Sequence, residues 1–257
     1  MPAFIKRIHI LFISALLCVL CGACTPLPTN ADGTEPERSP ADPWEPLNRS
    51  FFRGTRAIDR FTLRPLAIGY EVIVPSVFRL GINNFSRNLR APLHIINHFL
   101  QGKFASGFRQ TGRFVMNTTF GIGGLMDVAT DAGIEVEVED FGQTLAVWGV
   151  PDGPFVIVPL IGPRTLRGAA MIPLNLLADP LLHYDNSSVR DKVYLIRAID
   201  LRQQLLSSEK LLEDAYDPYI RLREAYLQHR RFLIFDGNPP DVEDDYEDFD
   251  DEFTEDE

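Results

Sequence analysis

The sequence predicts a mainly α-helical, single domain made of many short amphipathic helices, with at most one short β-hairpin. Apolar residues recur at spacings of three and four along most of residues 42–235, which is the periodicity of amphipathic helices. Prolines interrupt this region repeatedly, and a proline inside a helix costs about 3 kcal/mol. A bundle of long straight helices is therefore not expected, and the frequent turns suit helices that lie round a ring or along a surface.

The first predicted helix covers residues 42–61. Asp42 can cap its N-terminus, and the proline that follows suits its first turn. Phe51, Ile58 and Phe61 fall near one face, as the apolar residues of an amphipathic helix do.

Proline and glycine divide the next part of the chain. Pro65 and Pro75 bound short helices. Pro92 suits the start of a further helix, and Gly102 suits its end. The glycines that follow Thr118 are expected to end the next helix. The helices predicted here are 64–75, 75–90, 91–104 and 105–118.

The second half of the domain mixes extended and helical segments. In residues 135–140, acidic residues alternate with valines, which fits either a short strand or an extended loop. Asp140 is expected to cap a short helix over 140–149. The Pro-Asp-Gly turn and the β-branched residues of 149–163 predict a hairpin. The segment 163–180 is predicted to be an unusually apolar helix.

The C-terminal part of the domain, residues 188–231, is predicted to be long, charged and helical. Aromatic and leucine side chains recur along it at spacings of three and four, which is typical of one face of a helix. This stripe comprises Leu212, Tyr216, Tyr219, Leu222 and Tyr226.

All three cysteines lie within residues 18–24. A short cationic segment and the apolar run 10–20 precede two small residues and Cys24, which is the order of a secretory signal and resembles a bacterial lipobox. We predict a lipoprotein signal over 1–23 and lipidation of Cys24, with an ordinary secretory signal or metal or redox chemistry as alternatives. Residues 24–41, rich in proline and small polar residues, are expected to form a flexible tether.

The net charge of −11 is unevenly distributed. Residues 236–257 contain thirteen acidic side chains and no basic ones. Once these and the two cations of the signal are set aside, residues 24–235 carry 23 acidic and 23 basic side chains. A neutral body argues against nucleic acid as a partner. The acidic segment has the composition of a disordered, solubilising tail, and docking or ion collection is the alternative role.

The sequence contains no G-x-S-x-G nucleophile elbow, no Walker loop and no H-E-x-x-H motif. His94 and His98 have the spacing of two metal ligands on one helix face, but no third ligand can be assigned, so polar residues facing a groove are favoured. The acidic residues between 127 and 140 do not match a calcium loop and are expected to form a solvated face. We therefore predict a protein that is not an enzyme and uses no metal or cofactor.

After the signal, no apolar run approaches the roughly 20 residues that span a bilayer. The apolar segments 155–162 and 171–182 are short and broken by proline. A lipid-anchored protein with such segments is expected to insert partly into one leaflet rather than to span it. Trp44 and Trp148 suit the depth of the membrane interface.

Several long blocks of the domain resemble the MlaA/VacJ family of outer-membrane lipoproteins. They include DPWEPLNRSFF (42–52), GRFVMNTTFGIGGLMDVAT (112–130) and EDFGQTLAVWGVPDGPFVIVPLIGPRTLR (139–167). The likeness runs in order through nearly all of 42–235, and the acidic tail lies outside it. The resemblance implies a doughnut-shaped helical domain in the inner leaflet of a Gram-negative outer membrane, anchored by lipid on the periplasmic side.

The resemblance also implies a function. Members of that family sit beside trimeric porins, remove glycerophospholipids that have strayed into the outer leaflet, and pass them through an amphipathic channel to a soluble periplasmic carrier. Such retrograde lipid transport maintains outer-membrane lipid asymmetry. A structural lipoprotein that tethers porins or envelope layers without moving lipid is the alternative, and a lipase would need a serine–histidine context that is missing.

The family blocks supply a set of residues that we expect to be structural or to line the channel. They are Asp42, Trp44, Glu45, Pro46, Asn48, Arg49, Asn117, Gly121, Gly123, Gly124, Asp140, Gly142, Gln143, Thr144, Trp148 and Gly149.

Overall fold

The computed structural model describes residues 39–240. Five helices form the first part: α1 (Glu45–Phe61), α2 (Leu63–Ile73), α3 (Ser76–Leu100), α4 (Phe104–Thr119) and α5 (Val128–Asp131). Then follow α6 (Phe141–Val147), strands β1 (Phe155–Val158) and β2 (Gly162–Thr165), α7 (Leu166–Ala170) and α8 (Ile172–Leu177). A 3₁₀ turn (Pro180–His183) precedes α9 (Ser187–Gln204), α10 (Leu206–Glu213) and α11 (Pro218–Ile234). The prediction of a mainly helical fold with one short hairpin is confirmed for the described residues.

Helix α3 is the clearest departure from the predicted helix boundaries. It runs without a break through Pro92, so the prediction of separate helices over 75–90 and 91–104 is wrong. The proline removes one backbone bond, to the carbonyl of Asn88 four residues earlier. Contacts with α4 on both sides of the proline offset that loss, because Asn88 donates to Thr118 (3.0 Å) and the Phe99 ring packs on Phe108 (centroids 5.3 Å apart).

The glycine turns lie where the sequence places them. Gly102 has φ +74° directly after the end of α3, and the glycines after α4 have φ +69° at Gly123 and +95° at Gly124. Left-handed backbone of this kind costs a glycine little and other residues more. Residues 135–140 form an extended loop and not a strand.

The hairpin is confirmed, although its turn is elsewhere. β1 and β2 pair antiparallel from Phe155 opposite Thr165 to Val158 opposite Gly162, so the chain reverses at residues 159–161. The Pro-Asp-Gly sequence instead leads into β1. Because β2 takes residues 162–165, the helix expected over 163–180 begins late and divides into α7 and α8.

A small aromatic core joins the hairpin to α1 and α11. Phe52 and Phe155 each pack edge-on against Tyr219, with ring centroids 5.8 and 6.2 Å apart. Leu222 and Tyr226 lie against this core, so these members of the predicted stripe share a buried face. Tyr216 is fully exposed, because it lies in the loop before α11.

Residues at both ends of the described region contact the body. The carbonyl of Ala41 accepts a hydrogen bond from the Phe155 amide (2.7 Å). The last residue of the predicted tether is therefore bonded to strand β1 of the hairpin. Asp236 forms an ion pair with Lys103 (2.5 Å), and the Pro240 carbonyl accepts a hydrogen bond from Arg231 (2.8 Å). The rest of the predicted tether and acidic tail, and the whole signal, lie outside the described residues.

Candidate functional site

The described part of the chain is polar inside. Eight apolar side chains are buried in residues 39–240, against twenty polar or charged ones. Water-soluble domains bury mostly apolar side chains, and they bury charges only rarely and in pairs. Hydrogen bonds and ion pairs therefore hold this interior together to an unusual degree, and most of the predicted site residues lie within it.

Many large apolar side chains lie on the outside. Where α2 meets α3, Val72 is 81 % exposed and Val77 75 % exposed. Phe108 of α4 and Phe120 directly after it are 70 % and 74 % exposed. An apolar surface of this extent marks contact with protein or lipid. None of the described helices combines the length and apolar character that crossing a membrane requires.

Asp42 is the centre of the first polar network, where the chain enters α1. Its fully buried carboxylate accepts hydrogen bonds from the Tyr219 hydroxyl, the Asn48 amide group (2.8 Å) and the Arg223 guanidinium (3.3 Å). The prediction that Asp42 caps the first helix is wrong, because this carboxylate binds α11 instead. Helix α1 starts three residues later, and no side chain caps it.

Asn48 ties α1 to the hairpin. Its side chain donates to the Phe155 carbonyl (2.9 Å) and accepts from the Ile157 amide (2.9 Å). The next residue, Arg49, pairs with Glu45 one turn earlier (2.7 Å) and lies over the Tyr219 ring of the core. The motif residues of α1 thus position β1 and α11.

Asp140 and Arg230 form the second network, between α6 and α11. Two parallel hydrogen bonds of 2.7 and 2.8 Å join them, and Asp140 also caps α6 as predicted by accepting from the Gln143 amide (2.9 Å). Burial alone would raise the pKa of Asp140, but the hydrogen bonds and charge of Arg230 outweigh it and hold the pKa below its usual value. At Gly142 any side chain would collide with Arg230, because a Cβ there would lie 2.6 Å from its guanidinium.

Beside this pair, buried polar side chains link α3 to α6. The Thr144 hydroxyl donates to Asn97 (2.6 Å). His98 is only 1 % exposed, and its ring nitrogens have no hydrogen-bond partner among the described residues. The nearest carboxylate, that of Glu137, is 4.0 Å from Nε2. The side-chain oxygen of Gln143 is also unpaired, so this part of the interior keeps unused hydrogen-bonding capacity.

Arg113, Asn117 and Asp127 form the third network, between α4 and α5. The Asp127 carboxylate receives Arg113 at 2.5 Å and Asn117 at 2.9 Å. Asn117 in turn accepts from the Ala129 amide (2.9 Å). Burial would raise the pKa of Asp127, but hydrogen bonds from Asn117, Thr130 and Arg113 lower it below its usual value.

The glycines of this segment let two backbones approach closely. A Cβ on Gly121 would lie 2.2 Å from the Met126 carbonyl oxygen, and one on Gly124 would lie 2.5 Å from the Cβ of Asn88. No residue with a side chain fits either position without a shift of its surroundings. Both glycines are therefore structural.

The prediction of a solvated acidic face between residues 127 and 140 is wrong for four of its six acidic residues, whereas Asp131 and Glu135 are exposed as predicted. Besides Asp127 and Asp140, Glu137 pairs with Arg109 (2.6 Å). Glu139 is 3 % exposed and pairs with Lys103 (2.9 Å). The basic partners lie outside the acidic stretch, between residues 103 and 113 and at Arg230, so a local charge pattern does not reveal them.

A small polar cleft opens between α3 and α4. Its lining includes Asn84, Arg87, Asn88, His94, Gln110 and Arg113. His94 lines this groove as predicted, and burial lowers its pKa. The prediction is wrong for His98, which is buried and does not line the groove. The cleft encloses about 20 Å³, which is room for about one water molecule, so no phospholipid head group fits in this conformation. Within residues 39–240, no three histidine, cysteine, aspartate or glutamate side chains are grouped to hold a metal ion.

The remaining predicted residues are peripheral. Trp44 and Trp148 are 44 % and 58 % exposed, and Trp148 donates to the Leu100 carbonyl (3.1 Å). Pro46 occupies the first turn of α1, and Gly149 has φ +88°. Cys24 lies outside the described residues.

Arg223 and Arg230 were not among the predicted site residues, and Tyr219 and Tyr226 were predicted only as members of an aromatic stripe. Tyr219, Arg223, Tyr226 and Arg230 lie at spacings of four, three and four on one face of α11, and they hold Asp42 and Asp140 or pack on the core. The signal for them in the sequence is the alternation of tyrosine and arginine at helical spacing. It predicts a buried face that binds carboxylates as well as apolar groups.

The fold and the interior define a class of protein: a mainly helical domain with its polar groups inward and much of its apolar surface outward. Residues 40–233 match the family model described as MlaA lipoprotein. The chain belongs to the MlaA lipoprotein family, as the resemblance predicts.

Relatives and a solved structure agree with this assignment. The chain is 34 % identical over 263 residues to an Escherichia coli (strain K12) protein named intermembrane phospholipid transport system lipoprotein MlaA, covering 96 % of this chain and 99 % of the relative. A Rickettsia bellii protein named only as uncharacterized is 35 % identical over 195 residues, covering 75 % of this chain and 76 % of the relative. A chain solved in work on the structural basis for maintenance of bacterial outer membrane lipid asymmetry aligns with a TM-score of 0.67 and 38 % identity, covering 77 % of this chain and all of that chain.

Proposed function

We propose that this protein is an outer-membrane lipoprotein of intermembrane phospholipid transport. It removes mislocalised glycerophospholipids from the outer leaflet and passes them through an amphipathic channel to a soluble periplasmic carrier. It sits in the inner leaflet, beside a trimeric porin, held by lipid on Cys24. The transport function named for the E. coli relative, which covers nearly the whole chain, is the observation that carries this proposal.

The distribution of polar and apolar side chains supports the same function. A phospholipid that moves through a protein needs polar contacts for its head group and an apolar environment for its acyl chains. The polar interior supplies the first, and the exposed apolar side chains of α2, α3 and α4 supply a surface suited to lipid. Movement of this kind breaks no covalent bond and needs no nucleophile.

The cleft between α3 and α4 is too small for a head group. Transport therefore requires either a different opening or a movement of the helices that line the cleft.

Deletion of the gene tests the proposal. We expect glycerophospholipid to accumulate in the outer leaflet, measured as increased substrate for an outer-membrane phospholipase or acyltransferase, and we expect phospholipid to co-purify with the protein in mass spectrometry. An unchanged outer leaflet with a weakened envelope would contradict transport and favour a structural tether. Phospholipid hydrolysis by the purified protein would favour an enzyme.

A further inference from the structure

The cleft between α3 and α4 carries its two arginines at different depths. Its lining includes the guanidinium groups of Arg87 and Arg113 and one carboxylate, that of Asp127. Arg113 is 7 % exposed and pairs with that carboxylate, so it lies on the floor of the cleft with its charge compensated. Arg87 is exposed, and an exposed residue in the lining of a cleft lies at its mouth.

Arg87 has no counterion. Within residues 39–240, no carboxylate lies within ion-pair distance of its guanidinium, and no described group accepts a hydrogen bond from it. Asn84 lines the same cleft three residues earlier, which places the two side chains next to each other on one face of α3. The Asn84 amide group donates one hydrogen bond, to the Leu125 carbonyl (3.3 Å), and an amide group has a second N–H to donate.

The buried floor of the cleft uses its donors within the protein. Asn88 donates to Thr118 at 3.0 Å, and Gln110 donates to the Glu135 carbonyl at 2.9 Å. The enclosed volume of about 20 Å³ holds about one water molecule. An anion as large as a phosphate group therefore finds neither room nor available donors on the floor, whereas the mouth offers both.

Apolar side chains adjoin the mouth of the cleft. The hydrogen bond from Asn84 holds the turn after α4 (residues 120–126) against this part of α3, and a Cβ on Gly81 would lie 3.6 Å from the Leu125 carbonyl oxygen. The side chains of Ile122 and Leu125 in this turn are exposed. An uncompensated guanidinium next to an exposed apolar surface suits a ligand that joins an anionic group to hydrocarbon chains.

We propose that Arg87 and Asn84 bind the phosphate group of a glycerophospholipid at the mouth of the α3–α4 cleft, with its acyl chains along the turn after α4. A guanidinium presents paired N–H donors that match two phosphate oxygens, and the phosphate is the counterion that Arg87 lacks. The Asn84 amide group adds a neutral donor. This inference rests on the proposed transport function and gives that function a site for the head group outside the narrow part of the cleft.

Binding of soluble, short-chain lipid to the full-length protein in a nonionic detergent tests the site. The probes are dihexanoyl phosphatidylglycerol, dihexanoyl glycerol (which lacks the phosphate) and inorganic phosphate, titrated by calorimetry at neutral pH. We expect the phospholipid to bind at least about tenfold more tightly than dihexanoyl glycerol, which is the scale of one charged hydrogen bond. Arg87→Gln should remove most of that difference. Arg87→Lys should restore part of it, because lysine keeps the charge but not the paired donors.

Two further variants separate the parts of the site. Arg221→Gln is the matched control, because Arg221 is an exposed arginine of α11 that does not line the cleft, and phospholipid affinity should stay within about twofold. Leu125→Ser makes the turn more polar and leaves Arg87 in place. It should weaken the binding of dihexanoyl phosphatidylglycerol and of dihexanoyl glycerol by a similar factor, since both carry the same acyl chains.

The outcomes distinguish this site from the transport function. Equal affinity of wild type and Arg87→Gln for the phospholipid, or an equal loss in Arg221→Gln, overturns the phosphate site. Unchanged binding of both lipids to Leu125→Ser overturns the placement of the acyl chains. Binding of inorganic phosphate as tight as that of the phospholipid overturns the lipid assignment and indicates a site for free anions. If the wild type binds no dihexanoyl phosphatidylglycerol, the site is overturned, and the outer-leaflet measurement after gene deletion decides transport independently.

Discussion

The Asp140–Arg230 pair allows the contribution of one buried ion pair to be measured apart from that of a helix cap. Asp140 serves both purposes, because it accepts two hydrogen bonds from Arg230 and one from the Gln143 amide of α6. Asparagine is as good an N-cap as aspartate, so Asp140→Asn removes the charge and keeps the cap. Asp140→Ala removes both.

The structure sets the expected magnitudes. Removal of one partner of a fully buried pair costs about 3–5 kcal/mol, and here the Asp140 side chain is 31 % exposed and that of Arg230 is 9 % exposed. We therefore expect Asp140→Asn to lower the free energy of unfolding by about 2–3 kcal/mol, discounted for solvent screening. Asp140→Ala should cost about 1 kcal/mol more, for the lost cap.

The pH dependence has a definite sign. Because the pKa of Asp140 is lower in the folded protein than in the unfolded chain, its contribution is present above the unfolded value of about 3.9. It is lost as the pH falls through the folded pKa. The difference between wild type and Asp140→Asn should therefore shrink below about pH 4.

Urea unfolding in detergent micelles, followed by circular dichroism at pH 7 and in acid, measures these differences. Asp191→Asn is the control, because the Asp191 side chain is 68 % exposed and its loss should change the free energy of unfolding by less than about 0.5 kcal/mol. If Asp140→Asn behaves like that control, or if the asparagine and alanine variants are equally stable, the assignment of separate roles is refuted.

Further predictions concern the anchor, the body, the glycine turn and the tail. Cys24→Ala should leave an uncleaved precursor that incorporates no labelled fatty acid, and normal cleavage and labelling would contradict lipidation. The body secreted without its anchor should still fractionate with membranes because of its exposed apolar surface, whereas a protein that is monodisperse without detergent would contradict partial insertion. Gly124→Ala should lower the free energy of unfolding by more than about 1 kcal/mol, since φ is +95° and the new Cβ would lie 2.5 Å from that of Asn88. Gly133→Ala is the control in urea unfolding and should cost less, because Gly133 has φ +80° but open space around it. Equal losses in the two variants would refute the steric argument. Truncation after residue 240 should preserve resistance to detergent in cells, and loss of resistance at unchanged protein level would assign the tail a role.

Local signals in the sequence predicted most of the fold but little of the site. Gly102, Asp140 and the hairpin were placed correctly because turns, caps and strand pairs depend on neighbours in sequence. Pro92 was placed wrongly, because the contacts that keep α3 continuous come from α4. A local rule holds for an isolated helix, and tertiary packing overrides it here.

The partners of the predicted motif residues were beyond sequence reasoning for the same reason. Asp42 and Tyr219 are 177 residues apart, and Asp140 and Arg230 are 90 residues apart. A balanced composition of 23 acidic and 23 basic side chains in residues 24–235 shows that pairing is possible but not which pairs form. Only the three-dimensional arrangement shows that Asp127, Glu137, Glu139 and Asp140 form ion pairs.

The polar interior reverses the usual relation between position and mutational tolerance. An aliphatic core accepts many exchanges of similar volume. Asn48 differs, because its side chain bonds to the Asp42 carboxylate, the Phe155 carbonyl and the Ile157 amide at once. No other side chain has the same shape and the same pattern of donors and acceptors. At the exposed apolar positions, such as Val72 and Val77, we expect any hydrophobic side chain to be tolerated. In a saturation screen, this protein should therefore be most permissive among its exposed hydrophobic residues and least permissive among its buried asparagines and arginines, the opposite of the pattern by which buried positions are commonly recognised.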